Sequence, residues 1–208
     1  MTATAVQQMT MAEPVVLRAP LFAELIAALD EDQRHVLLDL GPARAGLIER
    51  LGLLRCRLDI LDLPQHIQPL NRLEAEQDAE SMVKMLRDCL PRSEPEPVQI
   101  VFCWDLLDYL PLAVTSRLFG LLQERLAPGA RLHALVEYSS RQMPAAPRQI
   151  GPNLDGELLI DAGSGVEISA PRHSLGTLAR YLPGFQSERS MLLGNGMQEY
   201  LFRFCGSV

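Results

Sequence analysis

In HVLLDLGPARAG, residues 35–46, the short apolar run HVLLDLG (35–41) stops abruptly at an acid and a glycine. Its brevity and its sudden glycine predict a buried strand rather than a helix. The loop that follows is built from small residues, so a ligand could reach its backbone amides. ARAGLIERLG (43–52) then predicts a helix, closed by a glycine just past its end, with its positive end facing that loop.

The same strand–loop–helix rhythm extends in both directions. Upstream, LFAELIAALDEDQ (21–33) carries apolar residues at helical spacing, and residues 1–19 read as a flexible arm. Downstream, RCRLDILDLP (55–64) reads as a second strand, stopped by Pro64. NRLEAEQDAESMVKMLRDCL (71–90) reads as one amphipathic helix, followed by a proline-rich breaker over 91–97. VQIVFCW (98–104) has the apolar, partly β-branched character of a strand covered on both faces. Residues 105–129 begin as a turn and become a helix ended by Pro128-Gly129, and ARLHALVEY (130–138) is another strand. Residues 139–172 are rich in Pro, Gly and Ser, with a hairpin expected at 157–169, and read as a lid or insertion. SLGTLARYL (174–182) is a short helix. Asn195-Gly196 joins strands at 187–193 and 197–204 in a hairpin. Alternation of this kind predicts one Rossmann-like, doubly wound α/β domain over residues 20–208, mostly parallel, with an antiparallel C-terminal hairpin.

Composition narrows the function. Of 208 residues, 48% are hydrophobic and 22% charged, which excludes a disordered or fibrous chain. A net charge of −7 argues against nucleic acid, whose phosphates demand clustered cations. No apolar run approaches the length of a membrane span, and the N-terminus has neither a basic nor an apolar leader region, so the cytoplasm is the expected location. Cys56, Cys89, Cys103 and Cys205 show neither a zinc spacing nor a disulfide framework, and no metal site is expected. Exposed edge strands near the C-terminal hairpin suit a homodimer or a protein partner.

In open α/β sheets ligands bind at the C-terminal strand ends, where strand order reverses. Asp39, Gly41, Ala43 and Gly46 lie at the first such end. Asp62, 21 residues beyond Gly41, ends the second strand and suits the two hydroxyls of an adenosine ribose. Trp104, Asp105, Asp108 and Tyr109 follow the strand at 98–104. Each has a plainer reading: Asp39 as a helix cap or a partner of Arg44, Asp62 as a turn acid, Asp105 and Asp108 as N-caps, Trp104 as a pocket or core wall. His133, inside an apolar strand, reads as a core histidine. No catalytic base stands out.

These features together resemble the class I S-adenosylmethionine-dependent methyltransferases. LDLGPARAG is similar to the family's first motif, Asp62 to its ribose acid and VFCWDLLDYLP to its motif after strand four. ERLAPGARLHALVEY is similar to its segment leading into strand five, and the closing hairpin to its last two strands. The resemblance spans residues 21–204, with gaps at 65–97 and 139–172, and implies a seven-stranded sheet. It also implies a methyltransferase for a small molecule or protein, with S-adenosylmethionine held by Asp39, Gly41, Ala43, Gly46, Asp62, Trp104 and Asp105. The first motif departs from the family's glycine pattern at Ala43 and Ala45, and Arg44 brings a cation to a site for a sulfonium. Those departures leave open a degenerate, cofactor-free interaction or regulatory module. Gly41, Ala43 and Gly46 also fit the fingerprint of a nicotinamide dehydrogenase.

Overall fold

A computed structural model describes residues 14–90, 96–161 and 165–206. The chain runs through β1 (Val15–Leu17), α1 (Pro20–Ala27), β2 (His35–Asp39), α2 (Ala45–Leu51), β3 (Cys56–Ile60), α3 (Ile67–Ala75), α4 (Ala79–Cys89) and β4 (Val98–Trp104). It continues through α5 (Leu112–Leu122), β5 (Leu126–Glu137), β6 (Gln142–Pro144), β7 (Ile150–Pro152), β8 (Leu158–Ile160), β9 (Glu167–Ser169), α6 (Leu175–Tyr181), β10 (Phe185–Leu192) and β11 (Met197–Phe204).

The main sheet has six strands in the order β10-β11-β5-β4-β2-β3. β3, β2, β4 and β5 are parallel, whereas β11 runs antiparallel to β5 and β10 antiparallel to β11. Strand residues alternate between two apolar layers because side chains have a period of two. Val36, Leu38, Val101 and Cys103 face α3, α4, α5 and α6. Leu37, Ile100, Phe102 and Trp104 face α1 and α2. Both faces of β2 and β4 are therefore covered, which is why these two strands are apolar almost throughout.

The first turn of α1 is fixed by a buried acid on β11. Glu199 accepts from the Leu21 and Phe22 amides at 3.1 and 2.8 Å and meets His133 Nε2 at 2.9 Å. His133 is thus a core residue, although its Nδ1 has no partner.

Several expectations need correction. The sheet has six strands rather than seven, because residues 63–89 form a 3-10 turn and two helices where a third strand would run. The single helix expected at 71–90 is broken: Gln77 takes a left-handed conformation (φ 57°), and Asp78 caps α4 by accepting from the Ser81 amide at 3.0 Å. Within the expected N-terminal arm, residues 15–17 instead pair with β8, and residues 1–13 lie outside the described residues. The hairpin expected at 157–169 does not form. β8 pairs with β7 and β1, and β9 pairs with β6, so the segment is two nested ribbons. Residues 162–164 of that segment, and 91–95 of the breaker, also lie outside the described residues. The β1-β8-β7 sheet adds Leu17, Ile150, Leu158 and Ile160 to the core beneath α1 and α2.

Candidate functional site

Strand order reverses between β2 and β4, since β3 lies on one side of β2 and β4 on the other. Open α/β sheets take their ligands beside such a point, outside the C-terminal ends of the strands. The backbone ladder continues past the strands there. Leu61 N donates to Asp39 O at 2.8 Å, Asp62 N to Gly41 O at 3.1 Å and Leu63 N to Leu40 O at 2.8 Å. Gly41 and Asp62, distant in sequence, are thereby held side by side.

Two residues at this edge adopt the left-handed region: Asp62 (φ 48°) after β3 and Trp104 (φ 51°) at the end of β4. A bulky residue in that region is a true outlier and is held there by its surroundings. Trp104 is 2% exposed, so it is a core wall. It packs against both Phe22 and Phe102 and donates from Nε1 to Asp39 Oδ1 at 2.6 Å. The ring also covers Gly41, where an added Cβ would lie 2.7 Å from Trp104 Cδ1, so only glycine fits.

Asp39 is fully buried and neither caps α2 nor pairs with Arg44. Its Oδ1 accepts from the Gly41 amide at 2.8 Å as well as from Trp104, and its Oδ2 has no partner. Burial pushes its pKa up to about 6, against the hydrogen bonds from Trp104 and Gly41. Asp62 is half-buried, and its carboxylate accepts from Gln65 Nε2.

Arg44 is the N-cap residue of α2, and its guanidinium reaches Asp161 Oδ2 at 2.8 Å and Gln149 Oε1. The cation in the first motif is therefore spent on an ion pair. Nor do the alanines strain the loop, because neither Ala43 nor Ala45 has a positive φ. Ala43 and Gly46 line a cavity of about 430 Å³ together with Glu49, Gly151, Pro152 and Leu154. Its walls do not include Asp39, Asp62, Trp104 or Asp105. Gly46 packs directly beneath the Pro152 carbonyl, and a side chain there would collide with that oxygen.

Asp105 stands at the N-cap position of the 3-10 turn Leu106–Asp108 but its side chain caps nothing there, and Asp108 lies inside that turn. Asp105, with no exposed surface, accepts at Oδ2 from the Arg148 amide at 3.1 Å and from Arg148 Nη1 at 3.3 Å. Asp108 accepts from the Glu137 amide at 2.7 Å. Arg148 Nη2 also binds the Glu137 carboxylate, so one guanidinium joins the ends of β4 and β5. Asp105 Oδ1 and Asp108 Oδ1 remain buried without partners. Burial raises the Asp105 pKa to about 6 despite the Arg148 hydrogen bonds, and raises that of Asp108 to about 8, helped by the neighbouring Asp105 and Glu137 carboxylates. Burial disfavours the Arg148 cation, but the Asp105 and Glu137 carboxylates outweigh it and hold its pKa up. Tyr109 is buried and donates to the Pro144 carbonyl at 3.0 Å, whereas Tyr138 is exposed.

Arg148 and Glu137 escaped the sequence reading. Glu137 left a signal, an acid closing the apolar run at 130–138. Arg148 left none, because its partners Asp105 and Glu137 come to it only through the fold. Among the described residues there is no His, Cys, Asp and Glu cluster fit for a metal and no helix long and apolar enough to cross a membrane.

No family model matches the chain, and no curated protein matches it. Solved structures do. The PH0226 protein from Pyrococcus horikoshii is 11% identical with a TM-score of 0.50, over 88% of this chain and 87% of that one. The Burkholderia thailandensis 1,6-didemethyltoxoflavin-N1-methyltransferase is 14% identical with a TM-score of 0.49, over 89% and 77%. The pyocyanin biosynthetic protein PhzM is 18% identical with a TM-score of 0.44, over 88% of this chain and 54% of that one, so the chain spans about half of PhzM's length. The likeness is one of fold alone: an α/β domain with a mostly parallel central sheet and antiparallel strands at one edge, with six strands in the main sheet where the resemblance implied seven.

Proposed function

We propose that the chain is an S-adenosylmethionine-dependent methyltransferase acting on a small molecule or a protein. The observation that carries this reading is a row of buried carboxylate oxygens without partners, on Asp39, Asp105 and Asp108, at the ends of β2 and β4. Leaving such oxygens unpaired costs about 1–3 kcal/mol each, so they argue for a cationic ligand at this edge. Asp62 would hold the ribose hydroxyls and Asp39 the methionine end, and the Gly41–Ala43 backbone would lie beneath. When bound, the sulfonium supplies the methyl group. The chain's part is to position the acceptor, which is most of what an in-line displacement requires. Neither departure in the first motif opposes this, since the alanines need no left-handed backbone and Arg44 is paired with Asp161.

A second reading, an interaction or regulatory module that has lost the cofactor, is favoured by Pro152 lying on Gly46 and by Arg148 lying between Asp105 and Glu137. Calorimetric titration with S-adenosylhomocysteine separates the two, with NAD as the control for a dehydrogenase. Micromolar binding is expected. No heat from a folded protein would overturn the methyl-transfer reading in favour of the module.

A further inference from the structure

Among the described residues, buried charge gathers most densely at the junction of β4 and β5. Three carboxylates, Asp105, Asp108 and Glu137, all more than nine-tenths buried, meet there with a single cation, Arg148. A buried set of this kind needs cations or protons to offset its desolvation. Arg148 meets only part of that need, because one oxygen each on Asp105 and Asp108 is still without a donor. The way Arg148 arrives matters as much. It belongs to neither the main sheet nor a helix. It sits in the connection between β6 and β7, where Ala145, Ala146 and Gln149 are exposed. Withdrawing it would break its own bonds to Asp105 and Glu137 while leaving β4 and β5 paired.

We infer that the Asp105–Asp108–Glu137 pocket is a binding site for a guanidinium or ammonium group of a ligand, for which Arg148 is the internal stand-in. A ligand cation would replace the Arg148 guanidinium between Asp105 and Glu137. A ligand with a second donor would also reach the two oxygens that Arg148 leaves unpaired. As a cation site this stands on its own geometry. As the place of the methyl acceptor it rests on the methyltransferase reading, and then names the acceptor class as a basic amine or guanidine. The raised pKa values of Asp105 and Asp108 are what such a pocket should have before a second cation enters.

The probe is agmatine, which carries a guanidinium and an amine, with 1-butylurea as the neutral control; both are titrated without cofactor. Arg148 competes intramolecularly in the native chain, so its removal frees the site, and Arg148→Ala is expected to bind agmatine about tenfold more tightly than the native chain. Adding Glu137→Gln to Arg148→Ala should take most of that gain away. Equal affinity in Arg148→Ala and the native chain, or agmatine binding no better than 1-butylurea, would overturn the assignment. Should Arg148→Ala not fold, hydrogen exchange of the Ala145, Ala146, Arg148 and Gln149 amides in the native chain decides. Agmatine at saturating concentration is expected to speed their exchange, and unchanged exchange would overturn the assignment. Titration with S-adenosylhomocysteine runs separately. A chain that takes agmatine but not S-adenosylhomocysteine keeps this site and loses methyl transfer, and the opposite result removes this site alone.

Discussion

Trp104 Nε1 donates to Asp39 Oδ1 at 2.6 Å, tying the end of β4 to the end of β2 across the point where strand order reverses. The bond has two consequences. It supplies the carboxylate with a second donor besides the Gly41 amide, and it seats the indole over Gly41. Trp104→Phe keeps a ring against Phe22 and Phe102 but removes the N–H. Hydrogen bonds to a charged acceptor are the stronger ones, so the loss should be largest where Asp39 is ionised. With the Asp39 pKa at about 6, Trp104→Phe should cost about 1–3 kcal/mol at pH 8 and clearly less at pH 5, by urea denaturation. An equal cost at both values would mean that the indole matters only as bulk.

Gly46 and Gly120 make a matched pair. At Gly46 a methyl group would strike the Pro152 carbonyl, which belongs to β7 and cannot swing aside like a side-chain tip. Gly46→Ala should therefore destabilise by about 1–3 kcal/mol and speed hydrogen exchange in β7 and β8. At Gly120, within α5, a methyl group meets nothing within 4 Å. Gly120→Ala should stabilise by about 0.5–1 kcal/mol, the usual gain in a helix interior. Gly46→Ala with native stability would show that the contact between the first-motif helix and the 150–160 ribbon is loose.

What the sequence disclosed follows from how local each signal is. β2, β4 and the Gly41–Asp62 pair were legible, because short apolar runs ending in acid and glycine are local patterns with a known spacing. The seventh strand was a miss: it came from the family resemblance alone, and residues 65–97, where it would lie, carry no strand pattern. β1 was not legible, since its three residues pair with β8 far along the chain. The break at Gln77 was hidden because Asp78 fits a continuous amphipathic helix as well as it fits an N-cap. The true partners of Asp105 were the least accessible: Arg148 lies 43 residues away in a segment with no periodicity. Non-local ion pairs leave no trace in a single sequence.

Asp108 should dominate the pH dependence of stability just above neutrality. Its folded pKa is raised to about 8 by burial and by the Asp105 and Glu137 carboxylates, while an unfolded aspartate titrates near 3.9. The folded state thus binds the extra proton, and stability falls as pH rises toward 8. Asp39 and Asp105, both at about 6, act in the same direction but finish earlier. His173, whose pKa burial lowers, acts in the opposite direction and only below its ordinary 6.5. Between pH 6.5 and 8 the native chain should lose on the order of 1–2 kcal/mol in chemical denaturation. Asp108→Asn keeps the acceptor for the Glu137 amide and has no proton to lose, so its stability should be nearly flat across that window. A variant that declines as steeply as the native chain would place the titration elsewhere.

Asp62 offers the most direct test of cofactor binding, provided that the substitution respects its backbone. With φ at 48°, Asp62 sits where alanine would pay roughly 1–2 kcal/mol in strain and blur the result. Asparagine tolerates that conformation and can still accept from Gln65, so Asp62→Asn removes the charge alone. If the carboxylate accepts from both ribose hydroxyls, S-adenosylhomocysteine should bind the variant about tenfold to a hundredfold more weakly, the effect of losing a charged acceptor. Stability should change little, because the residue is only half-buried and its amide still bonds to Gly41. Calorimetry on the two proteins supplies both numbers. Weaker binding with unchanged stability assigns the ribose to Asp62, whereas unchanged binding removes Asp62 from the cofactor site.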